Sequence, residues 1–310
     1  MSECLVEQAA ASAQCCAVDG CGLCLASSRP LEAESITLWP ERPRVAPDRE
    51  HVKDQRVHAV DNPSMQPFWP DAEVANGSSV VIFPGGGYSR LALKHEGIDI
   101  ARWFCARGVA AFVVKYRLQE YGYPAPLLDA QRALRLVRAH GQAWQLDAHK
   151  IGAVGFSAGG HLAASLVLMQ SVPAALNPVV DPYVAISARP DFALLGYPVI
   201  SMEGADAHVG SRRALLGEEP AVELLHACSL KHHVSPAVPP VFMFHGVADG
   251  AVPVVHSLEF FAALQKYNKQ SELHIYQSTI HGVGMIQGHG SISGWPQALE
   301  PWLRQNQLIK

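Results

Sequence analysis

The sequence predicts an α/β fold in which a mostly parallel central sheet carries helices on both faces. Strand-like and helix-like segments alternate along the chain, as they do when helices connect neighbouring parallel strands. Within three of the strand-like segments, residues 80–83, 109–114 and 241–244 are apolar at successive positions. Such strands are buried on both faces, which is typical of a parallel sheet between two layers of helices.

Two short strands are predicted before the first buried strand. Residues 34–39 and 55–60 alternate between polar and apolar side chains, which is the pattern of half-buried strands. The buried strand 79–83 runs into a glycine-rich turn. The helix that follows, over residues 95–107, has its apolar side chains on one face, and Gly108 ends it.

The rest of the chain continues the alternation of strand and helix. The strand 109–115 is followed by a helix over residues 126–140, in which apolar residues recur at helical spacing. By the same patterns we predict strands at residues 150–156, 192–197, 241–245 and 271–277, and helices at residues 157–169, 254–267 and 295–305.

The composition indicates a folded protein and argues against several functions. The 310 residues are 49% hydrophobic and 17% charged, which is enough for a large core and unlike a disordered chain. The formal net charge is −4, and there is no basic run. We therefore expect neither nucleic acid nor a membrane as a partner, because both attract clusters of Lys and Arg. No apolar stretch reaches the ~18 residues of a transmembrane helix.

Residues 1–30 are predicted to be an irregular, cysteine-rich extension, and residues 31–310 a single domain. Five of the seven cysteines lie in the extension: Cys4, Cys15, Cys16, Cys21 and Cys24. The spacing of Cys21 and Cys24 suits a pair of metal ligands, but no second pair of that spacing and no histidine accompanies them. We therefore predict no metal site and no cofactor.

The extension also bears on where the protein acts. It has no positively charged start, and Glu3 and Glu7 interrupt what would be the apolar part of a signal peptide. We therefore expect a cytoplasmic protein, or a secreted one if the true N-terminus differs. As to assembly, we expect a monomer or a homodimer.

The motif Gly155-Phe156-Ser157-Ala158-Gly159 carries the strongest chemical signal. It follows a predicted strand and opens a predicted helix, which is the setting of a nucleophilic serine on a tight strand-to-helix turn. The glycines are needed because side chains beside Ser157 would clash in so tight a turn. A serine that merely caps the helix is the alternative interpretation. The preceding strand favours the nucleophile.

A nucleophilic serine requires a base, and the base requires a carboxylate that orients it. In folds with this turn, the three residues follow in the order serine, acid, histidine. Asp249 follows the strand 241–245, and His281 follows the strand 271–277, so both lie at carboxyl ends of strands and in that order. Asp191 precedes its strand and His289 lies further from one, which makes them weaker candidates. The sequence thus predicts a triad of Ser157, Asp249 and His281.

The glycine run after the strand 79–83 predicts an oxyanion hole. Such a site needs backbone N–H groups that converge on one point, and glycine allows the chain to turn them inward. We predict the donors to be Gly86, Gly87 and Ala158, the residue after the nucleophile. A phosphate-binding loop is the alternative, but the spacing of its glycines and its lysine are missing.

Taken together, these segments resemble α/β-hydrolase esterases of the bacterial acetyl xylan esterase type, which include proteins named endo-1,4-β-xylanase-like. The segments that carry the resemblance include PGGGYSRLALKHEG, KIGAVGFSAGGHLAA, HVGSRRALLGEEP, HGVADGAVPVVHS and HGVGM. The resemblance implies an α/β-hydrolase fold with the same triad and oxyanion donors. It further implies that five residues lie near the acyl and alcohol pockets: Tyr88, His161, Tyr197, His208 and Ser211.

The function that the resemblance implies is hydrolysis of a small carboxylic ester through an acyl-serine, with an acetylated oligosaccharide as substrate. A feruloyl or general short-chain esterase stays open as an alternative. A peptidase related to prolyl oligopeptidase would use the same triad, but the chain has no room for a preceding propeller. A non-catalytic hydrolase fold usually lacks a triad residue, whereas all three are present here.

Overall fold

Eight strands form one central sheet in the computed structural model, which describes residues 29–32, 34–42, 44–168, 172, 176, 181–268 and 270–310. The predicted cysteine-rich extension lies outside these residues except for Arg29 and Pro30. The strands of the described residues are β1 (Ile36–Thr37), β2 (His51–Lys53), β3 (Arg56–His58), β4 (Ser64–Phe68), β5 (Ser79–Phe83), β6 (Ala110–Lys115), β7 (Ile151–Phe156), β8 (Phe192–Gly196), β9 (Val241–Gly246) and β10 (Glu272–Tyr276).

The sheet has the order β1-β4-β6-β5-β7-β8-β9-β10, and β2 and β3 form a separate antiparallel hairpin. From β6 to β10 every pairing is parallel, while β1 and β4 pair antiparallel at one edge. The predicted fold class, a mostly parallel sheet with helices, is therefore confirmed. The predicted strands from 79–83 to 271–277 end within one residue of the observed ones.

Helices connect the parallel strands and cover both faces of the sheet. The α-helices of the described residues are α1 (Asp99–Cys105), α2 (Ala125–Ala139), α3 (Ala158–Leu168), α4 (Val209–Leu216), α5 (Val222–Ala227), α6 (Val255–Leu264) and α7 (Trp295–Gln305). The predicted helix 95–107 begins as a π-helical turn, Lys94–Ile98, before α1. Within the described ranges, no helix is both long and apolar enough to span a bilayer.

The sequence patterns missed strand β4. Its sequence, SMQPF, contains Pro67, which lacks an N–H for sheet pairing and so argues against a strand. The strand is tolerated because β1 pairs only with Ser64 and Met65, which leaves β4 at the sheet edge where Pro67 lies. At an edge, a missing N–H costs no ladder hydrogen bond.

The core consists of two apolar layers on opposite faces of the sheet. Along β5, Val81 and Phe83 belong to the layer covered by α2 and α3, and Val80 and Ile82 belong to the layer covered by α1 and α7. This alternation is what the period of two in a strand requires. Because both faces are buried, β5 is apolar from Val80 to Phe83, as expected for a strand of a parallel sheet covered on both sides.

Asp129 on α2 makes a buried ionic contact that joins three segments. The carboxylate is 0% exposed and accepts hydrogen bonds from the Arg117 backbone N–H, the Arg117 guanidinium and the Trp39 indole. Removing one partner of such a pair leaves the other charge buried and unpaired, which costs more than losing an exposed ion pair.

We predict that Asp129→Ala lowers the free energy of unfolding by about 3–5 kcal/mol, because the buried Arg117 guanidinium loses its partner. The control is Asp99→Ala, whose Lys94 partner is largely exposed, and we expect a change below about 1 kcal/mol. Urea unfolding measures both. Equal losses in the two variants would contradict the assignment of a structural role to the Asp129 cluster.

Candidate active site

Ser157 lies on the turn between β7 and α3, at the carboxyl edge of the sheet. Its φ of 54° places the backbone in the left-handed region, which is strained for any residue with a side chain. The flanking glycines leave the space that this turn needs. A Cβ on Gly155 would lie 2.1 Å from the Gly159 carbonyl oxygen, and one on Gly159 would lie 2.0 Å from that of Phe83.

The side chains of Ser157, His281 and Asp249 form a continuous hydrogen-bonded chain. His281 Nδ1–H donates to Asp249 Oδ2 over 2.8 Å, and His281 Nε2 accepts from the Ser157 hydroxyl over 2.8 Å. This tautomer follows because the carboxylate accepts only. Asp249 lies in the loop after β9 and His281 in the loop after β10, so the three meet where the parallel strands end.

The Asp249 carboxylate is fixed by its surroundings. Its Oδ1 accepts hydrogen bonds from the backbone N–H groups of Ala251 and Val252, over 2.8 and 3.0 Å. Nε2 of the buried His245 lies 3.5 Å from Oδ2. Burial acts to raise the pKa of Asp249, but the hydrogen bonds from His245 and His281 hold it well below its usual range. The carboxylate is therefore ionised and able to orient His281.

The glycine turn after β5 presents backbone N–H groups beside Ser157. Gly86 has a φ of 137° and Gly87 a φ of 67°, values that only glycine adopts easily. No residue that the structure describes accepts a hydrogen bond from the N–H of Gly86, Gly87 or Ala158. Gly86 and Gly87 line the same cleft as Ser157. Unused donors next to a nucleophile are what an oxyanion hole requires.

Glu96, which the sequence patterns did not single out, joins the loops around the triad. Its Oε2 accepts from the Gly85 N–H over 2.8 Å, and its Oε1 accepts from the Tyr197 hydroxyl over 2.8 Å. The Tyr197 hydroxyl in turn accepts from the Gly284 N–H over 2.8 Å. The Tyr197 ring packs edge-on against the His281 ring, with 4.9 Å between centroids. One buried carboxylate thus connects the glycine turn to the histidine loop.

A signal for Glu96 was present in the sequence. Glu96 precedes Ile100 by four residues and Phe104 by eight, so it falls on the apolar face of the predicted helix. A carboxylate on such a face must be hydrogen-bonded when it is buried, and Glu96 is 3% exposed.

The cleft around Ser157 has a volume of about 380 Å³. It is lined by glycines and by small or polar side chains: Arg56, Gly86, Gly87, Ser89, Arg90, Ala92, His95, Glu96, Ser157, His208, Gly210, Ala251, His281 and Gly282. Arg56, Arg90 and His95 were not predicted. Arg56 Nη1 lies 3.2 Å from His95 Nδ1, to which it donates.

Residues 65–264 match the BD-FAE family, and this stretch includes Ser157, Asp249 and the glycine turn. The chain belongs to the BD-FAE family. Identity of 34% to a bacterial acetylxylan esterase confirms the resemblance to that type of α/β-hydrolase esterase.

Two relatives of this BD-FAE chain are xylan-degrading proteins by name. It is 34% identical to the acetylxylan esterase of Xylanibacter ruminicola, over 68% of this chain and 42% of that protein. It is also 34% identical to endo-1,4-beta-xylanase B of Butyrivibrio fibrisolvens, over 70% of this chain and 34% of that protein. The chain therefore spans less than half the length of these two relatives.

One solved structure is similar to this chain over almost the whole length of both proteins. The acetyl ester-xyloside bifunctional hydrolase from Caldicellulosiruptor lactoaceticus superposes with a TM-score of 0.78 at 37% identity. The match covers 89% of this BD-FAE chain and 97% of that chain. The predicted α/β-hydrolase fold is confirmed.

The resemblance implied five residues near the substrate pockets, and His208 is the one of them that lines the cleft. The other four lie behind its wall, with their polar atoms bonded inside the protein. The Tyr88 hydroxyl donates to His161 Nδ1, and His161 Nε2–H donates to the Cys228 carbonyl. Tyr197 bonds to Glu96, and Ser211 bonds to His208. Of the five residues, only His208 thus reaches the cleft surface among the described residues, while Tyr197 and Ser211 contact the cleft residues His281 and His208 from behind.

One group of side chains in the described residues has metal-ligand geometry. Ligand atoms of Glu203, His226 and His232 lie within 4.8 Å of one another, and His232 Nε2 lies 2.5 Å from Glu203 Oε1. None of the three lines the cleft that contains Ser157. We assign the group no part in the chemistry of this BD-FAE chain.

His161 makes the stability of the protein sensitive to acid. Burial lowers the pKa of His161 to about 4, although its hydrogen bond to Cys228 acts in the opposite direction. In the unfolded chain the pKa of a histidine is ~6.5. Between about pH 4 and pH 6.5 the unfolded chain therefore binds more protons than the folded protein. Stability is therefore lost as the pH falls from about 6.5 toward 4.

We predict that His161→Gln reduces the fall in melting temperature between about pH 7.5 and pH 5, because glutamine can bond to Tyr88 and Cys228 but does not titrate. Thermal melts across this range measure the effect. The control is His149→Gln at an exposed position, in which we expect the melting temperature to fall with pH as much as in the wild type. If the melting temperature of His161→Gln also fell as much as that of the wild type, the prediction would be contradicted.

Proposed function

We propose that the chain is a serine carboxylic-ester hydrolase that removes acetyl groups from a carbohydrate, through an acyl-serine intermediate. The observation that carries the proposal is the hydrogen-bonded chain of Ser157, His281 and Asp249, set beside unused N–H donors in an open cleft. Membership of the BD-FAE family and the likeness to an acetylxylan esterase support it.

In the first half of the proposed reaction, Ser157 Oγ attacks the ester carbonyl carbon while its proton passes to His281 Nε2. Asp249 stabilises the imidazolium and keeps its orientation. The carbonyl oxygen becomes an oxyanion that accepts hydrogen bonds from the N–H groups of Gly86, Gly87 and Ala158. The C–O bond to the alcohol then breaks, and His281 gives its proton to the leaving oxygen.

In the second half, water takes the place of the alcohol. His281 accepts a proton from the water as its oxygen attacks the acyl carbon, and the same N–H groups hold the second oxyanion. The bond to Ser157 Oγ breaks, the proton returns to that oxygen, and the carboxylic acid leaves. The enzyme is restored with no net change in its protons, and no cofactor enters the scheme.

The lining of the cleft favours a small acyl group. Ala92 and Ala251 are the largest purely apolar residues among the described residues that line it. A long acyl chain or an aromatic ferulate needs an apolar or aromatic pocket. By contrast, Arg56, Arg90 and His208 offer hydrogen-bond donors that suit an alcohol rich in hydroxyl groups. These features support an acetylated sugar over the feruloyl or long-chain alternative.

We predict that Ser157→Ala lowers kcat for release of acetate from acetylated xylo-oligosaccharides by at least about 10⁴-fold, because no nucleophile is left. A matched control is Ser165→Ala in the same helix, whose hydroxyl bonds to the His161 carbonyl away from the cleft. That variant should keep wild-type kcat.

Parallel assays with methyl ferulate and long-chain esters test the choice of substrate. Retained acetate release in Ser157→Ala would contradict the serine mechanism. Faster hydrolysis of methyl ferulate than of acetylated sugars would support the feruloyl alternative instead.

We also propose that Glu96 is a positioning residue, and predict that Glu96→Gln lowers kcat by about 10–100-fold, with KM changed by less than about threefold. The amide has one acceptor oxygen and cannot serve both Gly85 N–H and the Tyr197 hydroxyl. The exposed Glu73→Gln serves as the control. A fall in melting temperature with kcat intact would show a merely structural role.

A further inference from the structure

A second depression continues the cleft on the side of the glycine turn. It shares Ser89 and Gly210 with the cleft around Ser157, so the two depressions adjoin at these residues. The outer part has a volume of about 610 Å³, against about 380 Å³ for the cleft. Its further lining comes from two segments and one residue of α5: Gln119, Glu120, Tyr121, Gly122 and Tyr123; Arg213, Ala214, Leu215, Leu216, Gly217 and Glu218; and Leu224.

The walls of this outer groove are held in place by backbone hydrogen bonds. The Gln119 N–H donates to the Tyr88 carbonyl over 2.8 Å, which fixes one wall to the glycine turn. The Tyr123 N–H donates to the Leu215 carbonyl over 2.7 Å, which fixes that wall to α4 on the other side. The outer groove is therefore formed before any ligand binds, and its position relative to Ser157 is set by the oxyanion turn itself.

The chemistry of the outer groove suits a ligand rich in hydroxyl groups. The side chains of Gln119 and Glu120 are exposed and make no hydrogen bond to another residue within the described ranges. An amide and a carboxylate offer both donors and acceptors to hydroxyl groups. Tyr123 adds a half-buried aromatic ring, and Leu216 and Leu224 add apolar surface for the faces of sugar rings.

We propose that the outer groove binds the sugar residues of an oligosaccharide next to the one that carries the acetyl group. This inference rests on the proposed function. The ester sits in the cleft beside Ser157, and the rest of the leaving alcohol extends past Ser89 and Gly210. The enzyme thereby distinguishes an acetylated oligosaccharide from a small acetate ester, because only the oligosaccharide reaches the outer groove.

The test compares acetate release from acetylated xylose, xylobiose, xylotriose and xylotetraose. We expect kcat/KM of the wild type to rise about tenfold or more between one sugar and three, because binding in the outer groove is available in the transition state. Ala214 lines only the outer groove, so Ala214→Trp should fill it. In this variant we expect kcat/KM to rise by no more than about threefold between one sugar and three. Its kcat/KM for p-nitrophenyl acetate should stay within about twofold of the wild-type value.

Two further variants keep the test decisive. Ala262→Trp adds the same bulk at an exposed position of α6, outside both parts of the groove, and should leave the full rise. The double variant Gln119→Ala/Glu120→Ala changes only exposed side chains. It should lower the rise even if Ala214→Trp fails to fold.

The outcomes separate this inference from the proposed function. Acetate release that does not depend on sugar number in the wild type, or a rise that survives both groove variants, would overturn the outer groove as a sugar site. The esterase would stand in either case. If no acetylated sugar releases acetate while p-nitrophenyl acetate is hydrolysed, the carbohydrate substrate itself is wrong.

Discussion

Everything at the candidate site depends on the turn that holds Ser157 in the left-handed region of backbone space. The turn exists because Gly155 and Gly159 lack side chains where the ends of β5 and β7 meet α3. It is further tied to β8, since the Ser157 N–H donates to the Gly196 carbonyl and the Ser157 carbonyl accepts from the Val199 N–H. The strained backbone of Ser157 is therefore held by hydrogen bonds at the centre of the sheet.

Glu96 holds the two loops on either side of Ser157 in fixed positions. Without it, the glycine turn and the histidine loop would be separate pieces of chain on either side of Ser157. With it, the Gly85 N–H, the Tyr197 hydroxyl and the Gly284 N–H are held through one buried carboxylate. The outer groove is fixed to the same turn through Tyr88 and Gln119. The proposed nucleophile, the proposed oxyanion donors and the proposed sugar site are thus held by one connected set of hydrogen bonds.

The sequence was most informative where a pattern has one physical cause. The apolar run at residues 80–83 predicted a buried parallel strand. The positions of Ser157, Asp249 and His281 after three strands predicted side chains that lie together, and these side chains are joined by hydrogen bonds. It was least informative where the cause is tertiary. Pro67 is tolerated in β4 because the pairing with β1 ends before it. Tyr88 lies behind the cleft because its hydroxyl bonds to His161, and Tyr197 does so because its hydroxyl bonds to Glu96, and both partners are far away in the sequence.

In the proposed reaction, Ser157 carries the acyl group between the two halves. Mass spectrometry of enzyme quenched in acid during turnover of p-nitrophenyl acetate tests this directly. We expect a mass increase of one acetyl group, located on the peptide that contains Ser157 and absent when that residue is alanine. Release of acetate with no acetyl group on that peptide, or with one on another residue, would contradict it.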